Sequence, residues 1–218
     1  MAEQLLTDIT RLRRSPLADL QAQMAGASVS GARGVALREI PFLTMVGIRV
    51  APGSPAAEEI AAAAGVPLPT GHGQVTGSPE GTAVVWTGPD EFLLVGPQDT
   101  GAAPTGGTGL STDPAVPGLV RALGGERGAV VDLSANRTTL ELDGPSARAV
   151  LEKGCHLDLH PRAFGVGTAV SATLGPVPVL LWRTAEQTWR IMPRASFAEY
   201  TARWLLDAMT EFAAPEVP

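Results

Sequence analysis

The stretch at positions 129–164, AVVDLSANRTTLELDGPSARAVLEKGCHLDLHPRAF, decides the fold. It predicts two strands joined by a polar turn, then a helix from Ser146 to Lys153 that Gly154 ends, and finally an exit rich in His, Pro and Arg. The same order of strand, strand and helix occurs earlier in the chain. We therefore take this stretch as the template of an internal duplication.

Both halves of the chain repeat one order of elements: strand, strand, helix, three strands and helix. In the first half, Ser54 precedes the helix as its N-cap, Pro55 takes the first helical position and Gly65 ends the helix. Residues 86–97 align without a gap over residues 182–193, which supports duplication. The pattern predicts an α+β fold built from two pseudo-repeated, ferredoxin-like halves.

Composition and predicted elements divide the chain into four segments. The arm at the start carries Leu17, Leu20 and Met24 at helical spacing, and we expect it to dock on the body of the protein or to lie across another subunit. A long loop rich in Gly, Thr and Pro interrupts the first half. The predicted segments are an N-terminal arm (1–33), a first α+β half (34–127, with the loop at 98–113), a second α+β half (128–213) and a tail (214–218).

The last predicted helix runs from Ser196 to Phe212. Ser196 and Glu199 have the spacing of a capping box at its start. Apolar residues recur along it with helical period and predict one apolar stripe. This stripe consists of Phe197, Tyr200, Trp204, Leu205, Ala208 and Phe212.

Composition excludes several classes of function. The net charge is −6 and the pI is about 5.1, which argues against binding of nucleic acid or of an anionic membrane. Apolar residues make up 44% of the chain and charged residues only 17%, so part of the surface is expected to be covered by another protein. A lone cysteine, the absence of a signal-peptide pattern and the shortness of every apolar run predict a cytoplasmic protein without disulfides or membrane spans.

Two clusters of polar residues are candidate sites. Cys155, His156, Asp158 and His160 match no standard zinc spacing, and a helix exit with polar caps explains them better than a metal site or a nucleophilic cysteine. The denser cluster has three interpretations: a turn whose side chains bond to its own backbone, a subunit contact in which the guanidinium group of an arginine binds the partner, or a small-molecule site. Its members are Asp132, Ser134, Asn136 and Arg137. Neither cluster predicts catalytic, cofactor-binding or metal-binding residues.

Several longer motifs resemble the gamma subunits of bacterial heterotetrameric sarcosine oxidases, over nearly the whole chain except the loop at 98–113. The motifs are RSPL at 14–17, LREIPFL at 37–43, GPDE at 88–91, VDLSANRT at 131–138, LEKGC at 151–155, DLHPR at 158–162 and RASF at 194–197. The resemblance implies a complex that oxidatively demethylates sarcosine to glycine, forms hydrogen peroxide and passes the one-carbon unit to tetrahydrofolate. It implies alpha, beta and delta subunits as partners, with alpha in direct contact, and places FAD, FMN, NAD and tetrahydrofolate in other subunits.

A second resemblance, to the glycine-cleavage aminomethyltransferase, covers DLS at 132–134 and LDGPSA at 142–147 and implies the fold of its folate-binding domain. Where that enzyme has glycines followed by paired aspartates, this chain has GPVPV at 175–179, without a carboxylate to act on a folate amine. The resemblance thus implies a structural, non-catalytic subunit. An independent folate-binding or aminomethyltransferase-like module remains the alternative. The expected subunit contacts are Asp132, Ser134, Asn136, Arg137, His160 and Arg162.

Overall fold

A computed structural model describes residues 14–98 and 115–213, which form two compact units. Within these ranges the first unit comprises residues 14–15, 42–71, 76–98 and 115–135, and the second comprises residues 16–41, 72–75 and 136–213. The first part of the predicted arm, nearly all of the predicted loop and the tail lie outside the described residues.

The described elements follow the predicted order in both halves of the sequence, and the predicted α+β class is confirmed. The strands are β1 (Ala36–Ile40), β2 (Leu43–Val50), β3 (Val75–Gly77), β4 (Ala83–Gly88), β5 (Glu91–Gln98), β6 (Gly128–Asp132), β7 (Thr139–Asp143), β8 (Ala169–Leu174), β9 (Val177–Arg183) and β10 (Thr188–Pro193). The helices are α1 (Gln21–Gly26), α2 (Pro55–Ala64), α3 (Ala115–Leu123), α4 (Ala147–Glu152) and α5 (Ala198–Ala213).

The strands form two five-stranded sheets that exchange one strand between the halves of the sequence. The first sheet has the order β3-β4-β5-β2-β6, and the second has the order β1-β7-β10-β9-β8. The two orders are equivalent when each strand is matched to its counterpart in the other half, except that β6 and β1 have changed places. The compact units therefore do not coincide with the sequential segments 34–127 and 128–213.

The second sheet places its apolar core on one face. Leu140, Leu142 and Ile191 are fully buried there with residues from α4 and α5. Leu17 and Met24 from the predicted arm are 1% exposed and belong to the same core. This part of the arm thus packs on the body of its own unit.

The first unit builds a separate core against α2 and α3. Val46, Val84 and Leu94 on the sheet pack with Ile60 and Leu119 on the helices. The start of α2 forms as predicted, because the Ser54 Oγ accepts a hydrogen bond from the Ala57 N–H at 3.2 Å.

The equivalent cap in the second half does not form. The Ser146 side chain makes no capping bond to α4, and its Oγ donates to the Arg33 carbonyl oxygen at 3.1 Å. The local sequence specifies a hydroxyl at this position in both halves, but in the second half the backbone of the arm supplies an acceptor that is distant in sequence.

The predicted cap of the last helix is wrong, and its predicted apolar stripe is only partly correct. A short 3₁₀ turn at Ala195–Phe197 precedes α5, so Ser196 does not cap it. Phe197 and Tyr200 are 43% and 50% exposed. The other members of the predicted stripe are buried (Leu205, Ala208 and Phe212) or partly buried (Trp204). The buried face of α5 carries mostly small and aliphatic residues. These are Ala198, Thr201, Ala202, Leu205, Leu206, Ala208, Met209 and Phe212.

Candidate functional site

The first two residues of the predicted polar cluster form a turn. Asp132 Oδ1 accepts a hydrogen bond from the Ser134 N–H at 2.9 Å, and Ser134 Oγ accepts one from the Met45 N–H at 3.0 Å. The first bond lies within the turn itself, and the second joins the turn to strand β2, which is paired with β6 in the first sheet. The interpretation as a turn bonded to its own backbone therefore fits Asp132, whereas Ser134 bonds to the backbone of a strand that is 89 residues away in sequence.

The other two residues of the cluster belong to the second unit. The Asn136 carbonyl oxygen accepts a hydrogen bond from the Ala195 N–H at 2.9 Å. The Arg137 guanidinium donates from Nη1 to the Met192 carbonyl oxygen at 2.8 Å and is half-buried. Both residues thus join the backbone just before β7 to the backbone at the end of β10. The predicted cluster is therefore divided between the two units.

Arg137 lies beside a second arginine. Arg137 and Arg194 face each other in an isolated antiparallel bridge. Burial lowers the pKa of the Arg137 guanidinium, and the positive charge of Arg194 lowers it further. Arginine nevertheless remains charged at neutral pH. The described residues supply no ion pair to either guanidinium, so this pair concentrates uncompensated positive charge.

His160 and Arg162 lie on an exposed segment after α4. The Asp158 Oδ1 accepts from the His160 N–H at 2.9 Å, and the His160 Nδ1 accepts from the Arg162 N–H at 3.2 Å. Cys155 is buried whereas His156 is exposed, so the adjacent pair does not converge on one point. Among residues 14–98 and 115–213, no group of three His, Cys, Asp or Glu could hold a metal ion.

A charged row that the sequence did not predict crosses the second sheet. Arg38, Glu141 and Arg190 face one another on the paired strands β1, β7 and β10. Arg38 Nε lies 2.8 Å from Glu141 Oε1, Arg190 Nε lies 3.6 Å from Glu141 Oε2, and the Arg190 guanidinium lies 5.3 Å from the centre of the Trp182 ring. Only the strand register brings these distant residues together, so no local signal could have revealed the row.

Two of the cavities formed by the described residues of the first unit are well defined, and neither gathers reactive groups. One, of about 230 Å³, has no titratable side chain in its lining. The other, of about 240 Å³, is lined by prolines and aromatic residues such as Pro67, Trp86 and Phe92, and Glu58 is its one titratable residue. A lone carboxylate in such a setting lacks the second group that acid–base chemistry requires.

Sequence reasoning missed that two aromatic residues, one at the end of the 3₁₀ turn and one in the first turn of α5, are exposed. Phe197 and Tyr200 are two of the few large apolar side chains that are well exposed in the described chain. The sequence does contain a pattern that indicates this exposure. A second apolar stripe with helical spacing, formed by Ala198, Ala202, Leu205 and Met209, can fill the buried face without the aromatic residues. A helix with two apolar stripes can bury the stripe with the smaller side chains and leave the stripe with the larger side chains exposed.

Within the described residues, no helix is long and apolar enough to cross a bilayer.

Comparison with known proteins gives consistent matches over the chain. Residues 50–211 match the model of the sarcosine oxidase, gamma subunit family. The chain is 54% identical over 217 residues to a sarcosine oxidase subunit gamma of Arthrobacter sp., and 52% identical to that of Corynebacterium sp. strain U-96; in both cases 100% of each chain is covered. These matches confirm the resemblance seen in the sequence motifs.

Solved structures agree with this result. A chain of the heterotetrameric sarcosine oxidase from Corynebacterium sp. U-96, solved in complex with pyrrole 2-carboxylate, matches with a TM-score of 0.86 and 52% identity, covering 95% of this chain and 100% of that one. The glycine cleavage system aminomethyltransferase T from Bartonella henselae matches with a TM-score of 0.59 and 18% identity, covering 89% of this chain and 57% of that one. At this identity the second match shows a shared fold, and it confirms the predicted likeness to the aminomethyltransferase.

Proposed function

The chain belongs to the sarcosine oxidase gamma subunit family, and from this premise we propose that it is the structural, non-catalytic subunit of a heterotetrameric sarcosine oxidase. The complex oxidatively demethylates sarcosine to glycine and forms hydrogen peroxide and 5,10-methylenetetrahydrofolate. The observation that carries this proposal is the full-length match to relatives named as that subunit and to a chain of a heterotetramer.

The chemistry of the described residues supports a role without catalysis. The two cavities described above, in the first unit, gather no pair of reactive groups. The turn between β8 and β9 is formed by Gly175 and Pro176, at the place where the aminomethyltransferase resemblance would require carboxylates. A subunit of this kind contributes by burying surface in the assembly rather than by moving protons.

We assign the partners and cofactors of the complex in the same proposal. The alpha, beta and delta subunits are the partners, alpha makes the direct contact, and the assembly is cytoplasmic. FAD, FMN, NAD and tetrahydrofolate are bound by the companion subunits and not by this chain.

Four of the six docking residues that we propose are in the second unit. Asn136 and Arg137 adjoin the bridge to Arg194, and His160 and Arg162 are exposed on the segment after α4. Asp132 and Ser134 contribute to docking by holding the shape of the turn in the first unit.

Co-purification tests the proposal directly. The tagged full-length chain is expressed with its companion subunits, and the eluted material is measured by size-exclusion chromatography and by its visible absorbance, which reports a bound flavin. We expect this chain to elute in a large flavin-containing complex with sarcosine oxidase activity, and to carry no flavin when it is expressed alone. Elution apart from the companion subunits would contradict the proposal, and tetrahydrofolate binding by the isolated chain would favour the independent folate-binding module.

A further inference from the structure

The 3₁₀ turn before α5 and the first turns of α5 present aromatic side chains that their own unit covers only in part. Phe197 and Tyr200 are 43% and 50% exposed, and Trp204 continues the same helix face as a partly buried side chain. These three residues, here called the aromatic ridge, have i, i+3 and i+7 spacing and continue from the last residue of the 3₁₀ turn onto one face of α5. Three of the ten aromatic residues in the chain thus lie on one narrow strip.

The position of the aromatic ridge is fixed by close packing at its end. A Cβ atom on Gly154 would lie 2.5 Å from Cζ2 of Trp204, so the indole ring rests directly on the backbone that follows α4. The Thr201 Oγ1 donates to the Phe197 carbonyl oxygen at 2.8 Å and braces the first turn. The Trp204 ring and the backbone that carries Phe197 and Tyr200 are therefore held in place before any other protein binds, which reduces the entropy lost on association.

Positive charge adjoins the aromatic ridge. Arg194 precedes Phe197 by one turn of chain and faces Arg137 across the bridge. Two like charges opposite each other destabilise a strand pair. In the described chain no carboxylate forms an ion pair with either arginine. Glu199, the nearest acidic residue along α5, is engaged with Arg203 on the same helix at 2.9 Å.

Resting on the proposed function, we propose that the aromatic ridge and the pair Arg137–Arg194 form one docking surface for a companion subunit of the oxidase. The companion presents an apolar groove for Phe197 and Tyr200, with an Asp or Glu carboxylate at its rim that pairs with the two guanidinium groups. Aromatic residues and arginine are the residue types most often found to dominate the energy of protein interfaces. A carboxylate buried in the interface would accept charge-assisted hydrogen bonds from both guanidinium groups. Its negative charge would also compensate the repulsion between the two arginines.

Other occupants fit this surface less well. A second copy of this chain, docked through the same surface about a two-fold axis, would bring four arginines together. Nucleic acid could pair with the arginines, but the net charge of −6 opposes its approach. A companion subunit with a carboxylate satisfies both the apolar and the charged parts.

The test uses the co-expressed complex and two variants of the surface. The variant Phe197→Ser/Tyr200→Ser removes the exposed aromatic side chains, and Arg194→Glu reverses the charge beside Arg137. Matched controls are Val120→Ser and Arg121→Glu, because Val120 is 48% exposed and Arg121 is exposed on α3 of the first unit. The measurements are the dissociation constant for assembly with the companion subunits and the urea unfolding of each full-length chain alone.

We expect each surface variant to weaken assembly by about tenfold to thirtyfold, with the unfolding midpoint of the isolated chain nearly unchanged. The control variants should assemble as the unaltered chain does. The inference is overturned if the surface variants assemble normally, or if the controls weaken assembly equally. If the aromatic variant disrupts only self-association of the isolated chain, then the occupant is a second copy and the inference is likewise overturned. Failure of the unaltered chain to assemble would instead contradict the proposed function.

Discussion

At the scale of single residues, Gly154 shows how one missing side chain positions the aromatic ridge. A Cβ atom at this position would lie 2.5 Å and 2.8 Å from two atoms of the Trp204 ring and 3.1 Å from the backbone nitrogen of Gly175. The first two separations are shorter than any ordinary contact between carbon atoms, so either the indole or the turn must move. Glycine is therefore required here because of the close approach of the ring.

Gly154→Ala should lower the free energy of unfolding by about 1–3 kcal/mol, as over-packing typically does. In a Trp204→Leu background the same substitution should cost less, because the ring that it strikes has been removed. Gly118→Ala is the matched control, since Gly118 lies inside α3 with no atom within 4 Å of the place that a Cβ would take, and alanine there should be neutral or stabilising. Urea unfolding of the four variants measures the coupling. Equal costs of Gly154→Ala in both backgrounds would refute this account.

Comparison of single residues shows which ones the sequence predicts. Ser54 caps its helix as expected, because its acceptor and donor lie within one turn of chain. Ser146 does not, because its partner is the Arg33 carbonyl oxygen, which is 113 residues away in sequence. Phe197 joins a predicted stripe through helical period alone. The period states which residues share a face, and it does not state which of two apolar faces is buried.

At the scale of elements, the charged row on β1, β7 and β10 depends on a carboxylate that serves two arginines. The side chains of Glu141 and Arg190 are each only 10% exposed, whereas that of Arg38 is 69% exposed. Loss of one member of a buried pair leaves the other charge without its compensation, which costs more than the pair itself contributes.

Glu141→Ala should therefore lower the free energy of unfolding by about 3 kcal/mol. Arg38→Ala is the control on the same row and should cost no more than about 1 kcal/mol, because its guanidinium is mostly solvated. Chemical denaturation of the full-length chain measures both. If both variants lose the same free energy of unfolding, then burial does not determine how much each member of the charged row contributes to stability.

The hairpins show how far repetition in the sequence predicts pairing. The ungapped match of residues 86–97 with 182–193 correctly places β4 over β9 and β5 over β10. Trp86 pairs with Phe92, however, whereas Trp182 pairs with Arg190, which lies two residues beyond the position that the match assigns to Phe92. The turns thus differ in length. Apolar alternation is preserved by a shift of two residues, so the sequence pattern does not detect it.

At the scale of the whole molecule, the order of elements was predictable but the exchange of strands was not. The sequence of strand, strand, helix, three strands and helix follows from local patterns in both halves. The exchange of β1 and β6 depends on pairing between strands that are about 100 residues apart, such as Arg38 with Glu141. Local propensity carries no information about such a choice, because either strand could occupy either edge with its alternation intact.

The exchange makes the second unit dependent on residues from the start of the chain. Leu17, Leu20 and Met24 from the arm and Leu37 from β1 are buried in its core, and β1 covers the edge of β7. A chain that starts after residue 135 would retain β7 to β10 but would expose this apolar surface and an unpaired strand edge.

A fragment of residues 136–218 should accordingly fail to unfold cooperatively in urea. Addition of a peptide of residues 16–41 should restore a cooperative transition, because the peptide supplies the missing strand and the apolar side chains of the arm. The same peptide with Leu37→Asp is the control and should not restore it, since Leu37 is 2% exposed. Circular dichroism at increasing urea concentration measures the effect. If the fragment alone unfolds cooperatively, with a midpoint that the peptide does not change, then the second unit is complete within the second half of the sequence and the exchanged strand is not needed for its stability.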